Sequence, residues 1–186
     1  MKNKFVHFML MLLLTLGFNG IVMATQYVHE DNLSDDDFFH KKFNTEIFSA
    51  KLRGFQEAPA VLTKGKGLFR ATTDGYALKY KLRYKNLSEP VVVRFAHIHF
   101  AQPDVNGGIL AWLCDNTGGG PAGTPACPAP GEKLEGTITA DNIQAVQGVE
   151  VGNFKALIKI MENGVAYVNV HTDEFPSGEI RGNIKD

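Results

Sequence analysis

The chain has 186 residues, of which 44% are hydrophobic and 21% are charged. This length predicts a single domain, and the composition excludes a wholly disordered or collagen-like chain. A formal net charge of -1 gives no electrostatic reason to expect nucleic-acid binding.

The first 24 residues have the pattern of a secretory signal peptide. Lys2 and Lys4 precede an almost wholly apolar run over residues 5–18, and Val22-Met23-Ala24 offers small or apolar residues where a signal peptidase cuts. A membrane-spanning helix needs roughly 20 apolar residues, and this run is shorter. We therefore expect cleavage after Ala24, a secreted or periplasmic protein, and no stable membrane insertion of the mature chain.

The segment that follows the expected cleavage site is polar and acidic. We interpret residues 25–44 as a leader or linker, and residues 45–186 as the folded domain. Removal of residues 1–24 takes away two lysines and no acid, which leaves 17 basic and 20 acidic residues. This net charge of -3 argues against membrane surfaces and polyanions as default partners.

Short strand-like segments follow one another through the domain. The clearest is residues 76–84, where every second residue from Tyr76 onward is apolar and is predicted to face the core, and Asp74-Gly75 before it is a hairpin signal. Further strands are predicted over 47–53, 67–73, 91–100, 108–113, 133–139, 166–172 and 179–184, a turn or short helix over 140–143, and a helix over 154–161. This pattern predicts a mainly all-β fold, an antiparallel β-sandwich or Greek-key barrel with one or two short helices.

Cys114 and Cys127 are the two cysteines of the chain, 13 positions apart. In an oxidising compartment such a pair usually forms a disulfide, which here would close a Gly/Pro-rich loop. Two free thiols or a shared metal ion are the alternatives. The spacing is far from Cys-x-x-Cys and favours the disulfide over both.

Three segments together resemble the CHRD domain, the module named after chordin. They are Glu57-Ala58-Pro59, the strand end Ala96-His97-Ile98-His99, and residues 166–172 followed by 176–182. Their order and spacing are similar to that family over about residues 46–185. The resemblance implies a β-rich extracellular or periplasmic domain with no established reaction. It does not imply growth-factor binding, because the cysteine-rich modules that accompany the domain in chordin are not seen in this sequence.

Three histidines form a candidate metal site. His97 and His99 are two positions apart on a predicted strand, so their side chains point to the same face, with about 7 Å between the two backbone positions. His171 lies on another predicted strand, with Tyr167 and Asn169 on its face. Imidazoles that converge in this way can share one copper or zinc ion.

The alternative for these histidines is a buried structural network. Each neutral ring would then be hydrogen-bonded to Glu57, Glu179, Arg181 or a backbone group. Glu179 and Arg181 would either form an ion pair along one strand, or Arg181 would hold the histidine strand with its guanidinium fork. The sequence favours this network over a resident metal, so copper or zinc is the secondary hypothesis and no other cofactor is expected.

Enzyme signatures are absent from the sequence. It contains no Gly-x-Ser-x-Gly, no phosphate-binding glycine loop and no His-Glu-x-x-His, and Trp112 is expected in the core rather than as a ligand platform. We therefore predict an exported, non-catalytic module that binds an unknown protein or envelope component, or serves a structural role. The second hypothesis is a small periplasmic protein that binds copper or zinc through its histidines.

Overall fold

Antiparallel strands are the main regular structure of the described chain, which is residues 45–186 of a computed structural model. The strands are β1 (Glu46–Arg53), β2 (Lys66–Thr73), β3 (Leu78–Lys85), β4 (Val93–Phe100), β5 (Gly108–Asp115), β6 (Lys133–Ile138), β7 (Ala166–Thr172) and β8 (Ile180–Asn183). They form one sheet in the order β5-β4-β7-β8-β1-β2-β3-β6, which is nearly closed into a barrel. The predicted mainly-β antiparallel fold is confirmed. The predicted signal peptide and leader lie outside the described residues.

The β1–β2–β3 meander follows from its period-two sequence pattern. Along β3, buried and exposed residues alternate without exception, with Leu78, Tyr80 and Leu82 on the buried side. The same alternation runs along β1, and the registers of β1 with β2 and of β2 with β3 are continuous. One side of these strands therefore faces the core and the other faces solvent.

The prediction that Tyr76 faces the core is wrong. Its side chain is 73% exposed, because the turn that precedes β3 is longer than the sequence pattern suggests. The Asp74 carboxylate accepts hydrogen bonds from the backbone N–H groups of Tyr76 and Ala77, each at 3.0 Å. This side-chain turn holds both residues outside the ladder, and the strand begins at Leu78.

One α-helix, α1 (Phe154–Glu162), covers part of the core as predicted. Its N-terminus is capped by Asn153, whose side-chain oxygen accepts from the backbone N–H of Ala156 at 3.1 Å. The helix buries Phe154, Leu157, Ile160 and Met161. Two short 3-10 turns, Gly54–Gln56 and Ala140–Asn142, complete the described helical structure.

Strands β4, β5 and β7 are covered on both faces, unlike the β1–β3 meander. All seven residues of β7 are buried, with Val168 and Val170 in the hydrophobic core. The alternate residues of β7 point to the opposite face, which is covered by loops. The sequence predicts Trp112 in the core, but its side chain lies on this second face. The register of β5 with β4 is irregular, and this places Trp112 beside His97.

The predicted disulfide between Cys114 and Cys127 is present, with the two Cα atoms 4.9 Å apart. It joins β5 to the end of the Gly/Pro-rich loop. A disulfide fits an extracellular-type protein. Within residues 45–186, no helix has the length and apolar character needed to cross a membrane.

Candidate metal centre

The pairing of β4 with β7 brings the three candidate histidines together. Phe95 lies opposite His171 in this register, and His97 lies opposite Asn169. Since alternate residues of a strand share a face, the side chains of His97, His99 and His171 project to the same side. One ring nitrogen from each of the three lies within 4.8 Å of the others.

Two backbone carbonyl groups fix the orientation of two of these rings. The Nδ1 atom of His99 lies 2.9 Å from the carbonyl oxygen of Gly107, and Nδ1 of His171 lies 2.9 Å from that of Pro176. A carbonyl oxygen only accepts, so each Nδ1 carries the proton and each Nε2 keeps a free lone pair. Metal-binding histidines in proteins are commonly held in this way.

The remaining ring nitrogens have no hydrogen-bond partner among the described residues. They are Nε2 of His99, Nε2 of His171 and both nitrogens of His97, and all four are buried. Leaving a buried polar group unpaired destabilises a fold by about 1–3 kcal/mol. A bound metal ion would satisfy one nitrogen from each ring, three of these four.

Burial keeps the three rings neutral. It lowers the pKa of His97 to about 2, with the neighbouring His171 and His99 adding to the effect. Burial also lowers the pKa of His171 to about 4, and lowers that of His99 against the opposing effect of its Gly107 hydrogen bond. A metal ion therefore meets no competition from protons at neutral pH.

Aromatic rings surround the histidines. Phe95 lies between two of them, with its ring centroid 4.9 Å from that of His97 and 4.5 Å from that of His171. Trp112 meets the His97 ring edge-on at 4.2 Å, and Tyr167 stacks on His99 at 4.7 Å. These rings hold the imidazoles in place and exclude water from them.

The comparison with family models identifies the domain. The model described as CHRD domain matches residues 48–184, nearly all of the described chain. This protein belongs to the CHRD domain family. Membership supports a non-enzymatic domain whose specific role is not established. Comparisons with curated proteins and with solved structures found no match.

Arg181 of this CHRD domain supports the histidine site from one side. The guanidinium carbon lies 3.4 Å from the ring centroid of Tyr167, the residue that stacks on His99. The guanidinium also donates to the carbonyl oxygens of Gln102 and Val105, at 3.3 and 2.8 Å. Arg181 thus holds Tyr167 and the loop after β4, and its positive charge also helps to lower the pKa of His99.

Glu57 and Asn169 are buried near Arg181. Burial raises the pKa of Glu57 to about 7, although Arg181 opposes the shift. The Asn169 side chain raises the pKa of His99 against the larger effect of burial, and its Oδ1 has no hydrogen-bond partner within residues 45–186. Neither contributes to the three-histidine group that could hold a metal ion.

Glu179 belongs to a different network. Its carboxylate accepts hydrogen bonds from the hydroxyl groups of Thr63 at 2.6 Å, Ser88 at 3.1 Å and Thr172 at 2.9 Å, and from the backbone N–H of Ser88 at 2.8 Å. These contacts join the β1–β2 and β3–β4 connections to β7. No pattern in the sequence marks Thr63 or Ser88 for this role, because they lie 116 and 91 positions from Glu179.

Proposed function

We propose that this CHRD-domain protein binds one transition-metal ion, copper or zinc, through His97, His99 and His171, as an exported and non-catalytic domain. The observation that carries the proposal is the set of buried, unpaired ring nitrogens within 4.8 Å of one another. Neutral imidazoles are common ligands of both metals. The signal-peptide pattern and the disulfide support an oxidising compartment outside the cytoplasm.

A purely structural role for the three histidines predicts different surroundings for their ring nitrogens. If the histidines served only to fix strand register, each buried nitrogen would be expected to have its own hydrogen-bond partner. The Nδ1 atoms of His99 and His171 have such partners, but the nitrogens that face one another do not. This asymmetry within single rings favours a shared ion.

The test is metal binding by the exported full-length protein, purified without a histidine tag and stripped with a chelator. Titration with Zn²⁺, and separately with Cu⁺ under reducing conditions, is followed by calorimetry and thermal unfolding. We expect a stoichiometry of one ion per chain. At a free ion concentration 100-fold above Kd, binding stabilises the fold by about 2.7 kcal/mol.

Matched histidine variants separate the site from adventitious binding. His99→Gln and His171→Gln each remove one ligand and are expected to weaken binding at least tenfold. His40→Gln removes a histidine of the leader and is expected to leave binding unchanged. Substoichiometric metal with no thermal shift for either ion, or equal loss in all three variants, would contradict the proposal.

A further inference from the structure

Charge is divided unevenly over the described domain. Residues 45–186 contain 15 Lys and Arg and 15 Asp and Glu, so the domain is neutral as a whole. Strands β1, β2, β3 and β6 together present fifteen outward-facing positions. Nine of these positions are cationic, and we call them the basic face: Lys51, Arg53, Lys66, Arg70, Lys79, Lys81, Arg83, Lys85 and Lys133.

The register of the sheet places cations of the basic face directly opposite one another. Lys66 pairs with Lys85 and with Arg53, and Arg70 pairs with Lys81. Arg83 likewise lies opposite Lys133. Like charges in directly opposed positions of an antiparallel pair are destabilising, so folding alone does not favour this arrangement.

Glu135 is the single acid among the fifteen outward positions. It forms salt bridges with Lys81 at 3.1 Å and with Lys133 at 2.9 Å, both of them exposed to solvent. The rest of the described domain carries six cations and 14 acids. The near-zero charge of the whole chain therefore conceals a strongly basic surface next to an acidic one.

We propose that the basic face binds a carboxylate-bearing polysaccharide, a polyuronate. Alternate residues on a strand lie about 7 Å apart and neighbouring strands about 4.8 Å apart, so four strands spread the nine cations over a broad area. Such an area fits an extended polymer with regularly repeated anions better than a single small anion. Association is driven by complementary charge and is sensitive to salt.

The composition of the outward positions argues against single-stranded nucleic acids and lipid bilayers as the partner. None of the fifteen outward positions is aromatic, so the face offers no platform on which nucleic-acid bases could stack. Ile47 and Leu68 are the only apolar residues among the fifteen outward positions, which leaves little to insert into a lipid bilayer. Six of the nine cations are lysines, flexible point charges that suit carboxylates at variable positions. The histidine site lies on β4 and β7 and takes no part in this binding.

The test compares binding of the exported full-length protein to immobilised polygalacturonate over a range of salt concentrations. The triple variant Lys66→Gln, Arg70→Gln, Arg83→Gln removes three charges from the basic face. Its matched control, Lys155→Gln, Lys159→Gln, Lys185→Gln, removes three exposed charges elsewhere. We expect the first variant to bind about tenfold more weakly with a smaller salt dependence, and the control to stay within about twofold of wild type.

Several results would overturn the proposal. Absence of binding to polygalacturonate at low salt, or equal loss in both triple variants, would do so directly. Tighter binding to duplex DNA or to phosphatidylglycerol vesicles would assign the face to another class of polyanion. If the protein formed salt-sensitive dimers that the first triple variant abolished, the partner of the basic face would be the acidic surface of a second copy.

Discussion

The hydroxyl group of Tyr80 donates a hydrogen bond to the carbonyl oxygen of Leu113 across 2.6 Å. Tyr80 lies on β3 and Leu113 on β5, strands near opposite ends of the sheet order, so the bond crosses the gap at which the barrel is nearly closed. Burial raises the pKa of Tyr80 to about 12, which keeps the donor protonated at any physiological pH. One side chain thus links the two ends of the sheet.

Tyr80→Phe tests this link. The substitution keeps the ring and removes the hydroxyl group, which leaves the Leu113 carbonyl without this buried partner. We expect the free energy of unfolding in urea to fall by about 1–3 kcal/mol. Tyr76→Phe, at an exposed position, is the matched control and should change it by less than about 0.5 kcal/mol. Equal effects of the two variants would contradict the assignment.

The hydrogen bonds to Glu179 predict that the stability of the domain depends strongly on this carboxylate. Glu179→Gln removes the negative charge and replaces one accepting oxygen with an NH2 group, so at least one of the contacts to Thr63, Ser88 or Thr172 loses its charged acceptor. Hydrogen bonds to a charged group are each worth about 1.5–3 kcal/mol, and we expect a loss of stability in that range. Glu174→Gln, which is exposed, should have little effect. Comparable unfolding midpoints for the two variants would show that the network is dispensable.

Removal of the disulfide is expected to destabilise the domain by about 3 kcal/mol. The reason is loop-closure entropy, because the bridge joins positions 13 residues apart in the unfolded chain. The double variant Cys114→Ala, Cys127→Ala and the reduced wild-type protein should show the same loss in urea unfolding. If the reduced protein were as stable as the oxidised one, the disulfide would not contribute to the stability of the domain.

The sequence predicts most strongly where structure is local. The alternation along β3 identifies the buried side of that strand, because a period of two is a property of the strand itself. The spacing of His97 and His99 likewise predicts that they share a face. The error at Tyr76 has a local cause as well, since the Asp74 carboxylate holds a turn that competes with the ladder.

What the sequence does not predict depends on long-range geometry. The carbonyl groups that orient His99 and His171 come from loops, and no residue pattern marks Gly107 or Pro176 for that role. Trp112 reaches the His97 ring because of irregular pairing between β4 and β5, which alternation does not reveal. The basic face is visible only when the register of four strands is known.

The low pKa of His171 predicts a loss of stability in mild acid. The folded value is about 4, whereas an unfolded chain has the ordinary value near 6.5. Between these values the unfolded state takes up a proton that the folded state does not, so stability falls as the pH falls from about 6.5 to about 4. Above about pH 6.5 the His171 ring is neutral in both states, so its protonation does not reduce the stability of the fold. The expected loss from this residue is about 3 kcal/mol.

Urea unfolding of chelator-treated protein from pH 7.5 down to 4 measures this loss, with His171→Gln as the reference. Glu57 contributes in the opposite direction, because its raised pKa of about 7 favours the folded state at lower pH. Since Glu57 is present in both proteins, its effect largely cancels in the difference between them. We expect that difference to shrink steadily below pH 6.5. A difference that stays constant down to pH 4 would mean that His171 takes up a proton as readily in the fold as in the unfolded chain.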